Sequence, residues 1–182
     1  MAPAAAWRQP TAALPPPSTA WLQAMQAMST GCEPPEPAPA TTAAATSDFL
    51  PGDTGFIALC KAYRASGGIA RGDDLAHWMV GRGQGGGLHL AALIVGGQAF
   101  SLEWRQTFWV PMFQFSPLQP AWGDGARQVL AELGTVLDGW QLAAWFVRGN
   151  TWLAGQRPLD LLASHLPRVL AAARADRYVI KG

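Results

Sequence analysis

Residues 99–115 read AFSLEWRQTFWVPMFQF and carry the only convincing β-strand signal in the sequence. Aromatic residues crowd this stretch, and apolar residues alternate with polar ones in its first half, as in a half-buried strand. The pattern predicts two strands, at 99–104 and 107–115, that pair around Arg105-Gln106. Because proline cannot donate a ladder hydrogen bond, the second strand should lie at an edge or be interrupted at Pro111.

The chain that follows the hairpin reads as helical. An apolar stripe runs from Val129 to Leu137, and Asp138-Gly139 separates it from a second helix at 140–147. Pro158 suits the first turn of a short third helix. The last helix is predicted at about 167–176.

The chain that precedes the hairpin also reads as helical. Apolar residues at i, i+3, i+4 and i+7 predict a helix at 56–63 that ends at Gly67-Gly68. Asp73 is a candidate N-cap for a second helix. The glycine-rich run 81–87 breaks that helix, and 88–95 is predicted as a third helix. The run lacks the lysine of a phosphate-binding loop, so we interpret it as a connector.

Residues 1–48 differ in composition from the rest of the chain. They are rich in alanine, proline, threonine and serine, which predicts a disordered head because such a segment has little apolar surface to bury. The exception is 19–29, where Trp21, Leu22 and Met25 have roughly helical spacing. This segment is either a transient helix or a docking motif.

Together these patterns predict a mainly α protein with one β-hairpin. We divide the chain into a disordered head at 1–48, a helical segment plus hairpin at 49–118, and a small C-terminal helical domain at 119–182. The order of helices and hairpin in the N-terminal half suits a winged or excisionase-like element. A body of this size can bury an independent core.

Charge and composition exclude several classes of protein. The chain has 182 residues, 49% of them hydrophobic and only 14% charged, and its net charge is +1. These values argue against a polybasic nucleic-acid arm or an acidic tail. The sequence shows neither a signal-peptide pattern nor a long apolar run, so a cytoplasmic protein without membrane contact is expected.

No pattern predicts catalysis, a metal site or a cofactor. The chain lacks a Gly-x-Ser-x-Gly motif, and Cys60 falls on the apolar face of its helix, where a thiol behaves as a small hydrophobe. His77, His89 and His165 do not have the spacing of zinc ligands. We therefore predict that the protein is not an enzyme.

Three segments resemble a known family. They are VPMFQF at 110–115, WQLAAWF at 140–146 and NTWLAGQRPLDLL at 150–162. Together they look like the toxin-binding domain of Xre/MbcA/ParS-type antitoxins, whose signature is Gly-x-Arg-Pro-Leu-(Asp/Glu)-Leu-Leu. The resemblance covers roughly residues 99–177, and its most specific part is 155–162.

The resemblance implies a bacterial antitoxin that binds and neutralises a partner toxin, that can regulate its own operon, and that pairs with itself through its helices. The toxins of this family often have the RES fold and consume NAD. The expected toxin-binding residues are Arg157, Pro158, Asp160, Arg174, Arg177 and Tyr178. Two alternatives stay open from the residues themselves: Arg157 can pair with Asp160 in its own chain, and the arginines of the last helix can complete a solvated helix end.

Family members typically carry an N-terminal helix-turn-helix that binds operator DNA, and this chain departs from that pattern at its glycine-rich 81–87 run. If residues 69–115 nevertheless contact DNA, Arg71, Arg82 and Arg105 are the expected phosphate contacts, since no other residue there is basic. From Phe49 onward the chain has 12 basic and nine acidic residues, which is weak support for this role. The alternative function is therefore a DNA-binding transcriptional regulator without a toxin partner.

Overall fold

A computed structural model describes residues 49–115 and 120–182, and in these ranges the protein is mainly helical with a small antiparallel sheet. The predicted fold class is confirmed. The head, including 19–29, lies outside the described residues. The helices are α1 (Asp53–Tyr63), α2 (Gly72–Gly81), α3 (Gly87–Val95), α4 (Pro120–Leu133), α5 (Gly139–Val147), α6 (Pro158–Leu161) and α7 (Leu166–Lys181). The strands are β1 (Ile69–Arg71), β2 (Leu102–Trp104) and β3 (Thr107–Pro111).

The predicted hairpin is present and forms two of the three strands. Strands β2 and β3 pair in antiparallel register with Trp104 opposite Thr107. Arg105 and Gln106 both have positive φ, at 49° and 58°. Positive φ at both central residues is the conformation that matches the twist of a two-residue hairpin.

Strand β1 was not predicted, and it changes the position of β3 in the sheet. It pairs with the far side of β3, placing Ile69 opposite Pro111 and giving the order β1-β3-β2. Strand β3 is therefore central rather than at an edge. Pro111 is the last residue of β3. Of the two alternatives, an edge strand or a strand interrupted at Pro111, the second is therefore the correct one.

The chain after β3 is fixed by the buried side chain of Gln114. Its Oε1 accepts a hydrogen bond from the backbone N–H of Phe100 at 2.8 Å. Its Nε2 donates to the carbonyls of Phe100 at 3.0 Å and Pro111 at 3.1 Å. The Gln114 side chain thus joins Phe100, which precedes β2, to Pro111 at the end of β3, where backbone pairing between the two strands has stopped.

The sheet separates two apolar clusters, because successive side chains of a strand point to opposite faces. Trp109 belongs to the main core, whereas Val110 belongs to a smaller cluster under α2 and α3. The main core contains residues from both sides of position 118, and α5 lies at its centre. There the buried Tyr63 hydroxyl donates to the Ala143 carbonyl at 2.8 Å, and Phe100 stacks on Phe146.

Three local predictions need correction. The strands are shorter than the predicted 99–104 and 107–115, because the first begins at Leu102 and residues 112–115 form a 3₁₀ turn. Asp73 is not an N-cap: Arg71 occupies that position, no side chain caps α2, and Asp73 lies in the first turn. Its carboxylate there still faces the positive end of the helix dipole. The last helix is longer than predicted, since it continues beyond Asp176 to Lys181. Helix α3 and the first-turn position of Pro158 agree with the predictions.

We expect Gln114→Met to lower the free energy of unfolding by at least about 2 kcal/mol, because it leaves buried backbone groups of Phe100 and Pro111 without partners. Urea denaturation followed by circular dichroism measures this loss. Gln128→Met, on an exposed turn of α4, is the matched control and should change stability by less than about 0.5 kcal/mol. Equal effects of the two substitutions would contradict the role given to Gln114.

Candidate functional site

Residues of α5 and of the turn that follows it converge on one carboxylate, Asp176 of α7. Three side chains donate to it: the Trp145 indole at 2.8 Å, the Asn150 amide at 2.7 Å and the Trp152 indole at 2.9 Å. Trp145 belongs to α5, and the other two lie in the turn that follows it. The network therefore fixes α7 against α5 and this turn.

Local sequence holds the turn in the shape that the network needs. Asn150 caps the 3₁₀ turn Thr151–Leu153, because its side chain accepts from the Trp152 N–H at 2.9 Å. The backbone then reverses through Ala154 and Gly155, both with positive φ. A side chain at Gly149 would place its Cβ 2.6 Å from the Gly155 carbonyl oxygen, so glycine is required at that position.

Arg157 and Asp160, two of the predicted toxin-binding residues, bind each other. The guanidinium donates to both carboxylate oxygens, at 2.7 and 2.8 Å, across the first turn of α6. This hydrogen bonding raises the pKa of Arg157. Pro158, between them, is buried at the first helical position. The intramolecular pair expected as one alternative is thus formed, with both side chains still partly exposed.

Arg174 and Arg177 share one partner, Glu132 of α4. Each guanidinium lies 2.7 Å from a different oxygen of that carboxylate. The side chain of Glu132 is only 16% exposed. Its pKa is lowered, chiefly by the hydrogen bond from Arg174, against the opposing effect of desolvation. The basic face of α7 is therefore attached to α4.

Beyond these ion pairs, α7 ends in exposed apolar side chains. Tyr178 is 80% exposed, and Val179 and Ile180 are also exposed. The last two line a groove of about 470 Å³, which we call the C-terminal groove. Its other lining side chains combine apolar residues with charged and amide groups and include Phe49, Leu137, Trp140, Trp145, Arg148, Asn150 and Asp176.

The predicted DNA contacts lie on three different elements. Arg71 is exposed at the end of β1. Arg82, after α2, lies with its guanidinium 4.7 Å from the centre of the Trp78 ring. Arg105, at the hairpin tip, is 2.6 Å from the Asp53 carboxylate and stacks over Trp104. Helix α3 carries no charged residue.

The described part of the chain offers little for other chemistry. Cys60 is buried in the main core and is disulfide-bonded, so the prediction of a thiol at this position is wrong. His77, His89 and His165 are exposed. Within residues 49–115 and 120–182, no group of three potential metal ligands is brought together. In the same ranges no helix is long and apolar enough to cross a membrane.

Sequence reasoning missed the two carboxylates that organise the site, Asp176 and Glu132. Each is separated from its partners by 24 or more residues, and neither stands in a motif. The available signal was indirect: two indoles and an asparagine close together in a short segment carry side-chain donors that one acceptor can satisfy.

We expect Asp176→Asn to destabilise the protein by about 1–3 kcal/mol, because an amide keeps one acceptor oxygen and presents a donor to other donors. Chemical denaturation measures the change. Asp124→Asn is the control, since Asp124 pairs with Arg127 of its own helix and should contribute less than about 1 kcal/mol. An equal loss in both variants would show that the hydrogen bonds to Asp176 contribute no more to stability than an exposed ion pair does.

The ion pairs of Glu132 predict a dependence on pH. Since the folded pKa is below the unfolded value of about 4.3, their contribution is present above that pH and is lost as the pH falls through the folded pKa. Glu132→Gln should cost less than about 1 kcal/mol at pH 7, because solvent screens both arginines. Its stability should also fall less steeply under acid than that of the wild type.

Denaturation curves between pH 7 and pH 3 measure this difference, with Glu103→Gln on the exposed side of β2 as the control. If Glu132→Gln and the wild type lost stability in parallel, the Glu132 carboxylate would not be the cause of the acid-dependent loss of stability.

Comparison with known proteins adds no family assignment. The chain matches no family model, no curated protein and no solved structure. The likeness of residues 99–177 to the toxin-binding domain of antitoxins therefore remains an interpretation of the sequence.

Proposed function

We propose that this protein is an antitoxin-like protein that binds and neutralises a partner protein toxin through its C-terminal region. The observation that carries the proposal is the exposed apolar end of α7, Tyr178 to Ile180, beside the C-terminal groove. Apolar side chains grouped beside a groove are typical of a surface that binds another protein.

The packing of this surface supports a binding role. The Asp176 network and the Glu132 ion pairs attach α7 to three other parts of the chain. A surface that is ordered before binding loses less conformational entropy when a partner docks. Tyr178 can then serve as an anchor, since tyrosine is among the residues that dominate interface energies.

The predicted toxin-binding arginines keep donors for a partner. A guanidinium has five N–H donors, and the pairs with Asp160 and Glu132 use at most two of them for each arginine. Arg157, Arg174 and Arg177 are therefore proposed to contact carboxylates or carbonyls of the toxin. Asp160 and Pro158 position Arg157. The resemblance suggests a RES-type toxin, with homodimerisation and autoregulation as further features.

One observation favours the alternative, a DNA-binding regulator. Helix α2, the connector, α3 and the hairpin follow one another in the order of a winged helix-turn-helix. The side chains favour it less, because α3 offers no arginine, lysine or amide for base or phosphate contact. This reading depends on Arg71, Arg82 and Arg105 alone.

Co-expression with the product of a neighbouring gene tests the proposal. We expect a stoichiometric complex on size-exclusion chromatography and restored growth of cells that make the neighbouring protein. Absence of both would contradict toxin neutralisation. If the chain then shifted a DNA duplex at low salt, and if Arg71→Ala with Arg82→Ala removed the shift, the regulator would be the better explanation.

Within such a complex, we expect Tyr178→Ala to weaken binding by about 1–2 kcal/mol without changing the fold, because an exposed anchor contributes to the interface and not to the core. Titration calorimetry measures the affinity, with circular dichroism to check folding. Val80→Ala, which truncates another exposed apolar side chain on α2, is the control and should bind like the wild type. Identical affinities for both variants would place the interface away from the end of α7.

A further inference from the structure

The C-terminal groove has one cation among the described side chains that line it, Arg148. This residue is the C-cap of α5, where its charge faces the negative end of the helix dipole, and it is half-buried. Its guanidinium lies 5.7 Å from the centre of the Phe49 ring. The Nε–H group is buried and has no hydrogen-bond acceptor in the described part of the chain.

This lack of an acceptor distinguishes Arg148 from the arginines that form ion pairs. Five guanidiniums each bind a carboxylate: those of Arg105, Arg127, Arg157, Arg174 and Arg177. A buried donor without an acceptor costs about 1–3 kcal/mol, because it has lost its water without gaining a partner. Such groups are rare in native proteins and indicate a site that something else completes.

The two carboxylates that line the groove are bound to other groups. Asp138 caps α5 and accepts from the Gln141 backbone N–H at 2.8 Å. The nine residues of α5 separate Asp138 from Arg148, a rise of about 15 Å along the axis. Asp176 accepts from two indoles and an amide. The charge that still lacks a partner in this groove is therefore positive.

The walls of the groove offer apolar ring faces to a ligand. The Trp140 N–H donates to a backbone carbonyl of β2 at 2.7 Å, and the Trp145 N–H donates to Asp176 at 2.8 Å. Since both N–H groups are used, the two rings present apolar surface. The exposed side chains of Val179 and Ile180 extend this surface to the end of α7.

We propose that the C-terminal groove binds a segment of the partner protein in which a carboxylate side chain is flanked by apolar side chains, and that Arg148 binds the carboxylate. A guanidinium and a carboxylate form two parallel charge-assisted hydrogen bonds. A neutral segment would cover the guanidinium without giving it an acceptor, and a basic segment would bring two positive charges together. This inference rests on the proposed function, since it specifies the partner's chemistry at the same surface.

The other groove of similar size does not suit this ligand. It lies between α2, α3 and the hairpin, and its volume is about 480 Å³. Asp73 is the one charged residue among the described side chains that line it. A carboxylate would meet a like charge there, so this groove provides an internal control for binding.

An NMR titration of the full chain with acetyl-Leu-Glu-Leu-amide tests the chemistry without the partner. We expect the indole N–H signals of Trp140 and Trp145 to shift, while the amide signals of α3 stay in place. The affinity should be about tenfold higher than for acetyl-Leu-Gln-Leu-amide, because a charged acceptor strengthens the hydrogen bonds of Arg148. Arg148→Gln should bind the two peptides equally.

Arg168→Gln is the matched control for the protein. It removes the same charge from an exposed position of α7 that does not line the groove, and it should keep the tenfold preference for the glutamate peptide. Circular dichroism establishes that both variants are folded. The comparison of the two peptides on the wild type needs no variant, so it remains decisive if Arg148→Gln fails to fold.

Three results would overturn this inference. The first is equal affinity of the wild type for the two peptides, which includes the absence of any shift with either. The second is an unchanged preference for the glutamate peptide in Arg148→Gln. The third is equal affinity for sodium acetate, which would make the groove a site for a small anion.

Failure of the proposed function gives a different result. If the peptide preference depends on Arg148 but the product of the neighbouring gene forms no complex, the groove binds acidic segments and toxin neutralisation is wrong. If the complex forms and Arg148→Gln leaves its affinity unchanged, toxin binding stands and the role given to Arg148 is wrong.

Discussion

The buried carboxamide of Gln114 holds the hairpin closed, and both apolar clusters pack against the sheet that it completes. By bonding to both backbone groups of Phe100 and to the Pro111 carbonyl, it closes the hairpin beyond its last ladder bond. A short sheet cannot satisfy these buried groups by itself, and each group left without a partner would cost about 1–3 kcal/mol. With the hairpin closed, β3 can present Trp109 to one cluster and Val110 to the other.

Helix α5 transfers this constraint to the C-terminal half. Gly139 packs so closely on the hairpin that a Cβ there would lie 1.9 Å from the Ser101 carbonyl oxygen. The Trp140 indole donates to the Glu103 carbonyl at 2.7 Å. Two residues of α5 are thus positioned by the strand, and a turn later Trp145 reaches Asp176. The position of α7, and with it the exposed Tyr178, therefore follows from the hairpin.

The local features of this fold could be predicted from the sequence, and the non-local ones could not. Periodicity and capping residues predicted the helices and the hairpin because their signals lie within a few residues. Strand β1 is three residues long, and it pairs with a strand some 40 residues away, so its own sequence shows no strand pattern. Asp176 and Glu132 were missed for the same reason: a carboxylate in a helix indicates a solvated face until its distant donors are known. The prediction of Asp73 as an N-cap was wrong because a carboxylate in the first turn and a carboxylate at the N-cap give the same sequence pattern.

The two halves of the protein differ in what their surfaces can bind, and the difference is chemical rather than topological. The N-terminal half has the element order of a DNA reader, yet nucleic acid affinity comes mainly from charges that neutralise phosphates, and α3 has none. The C-terminal half is built from ordinary helices, yet it exposes Arg174, Arg177 and Tyr178 on α7 and Arg157 at the start of α6. It also forms an aromatic-lined groove between α7, α5 and residues 49–51. Element order alone does not determine a function, whereas the side chains at a surface decide which partner it tolerates. The two surfaces therefore suit different chemical groups: the groove between α2, α3 and the hairpin suits apolar side chains, and the guanidinium donors of Arg174 and Arg177 suit carboxylates.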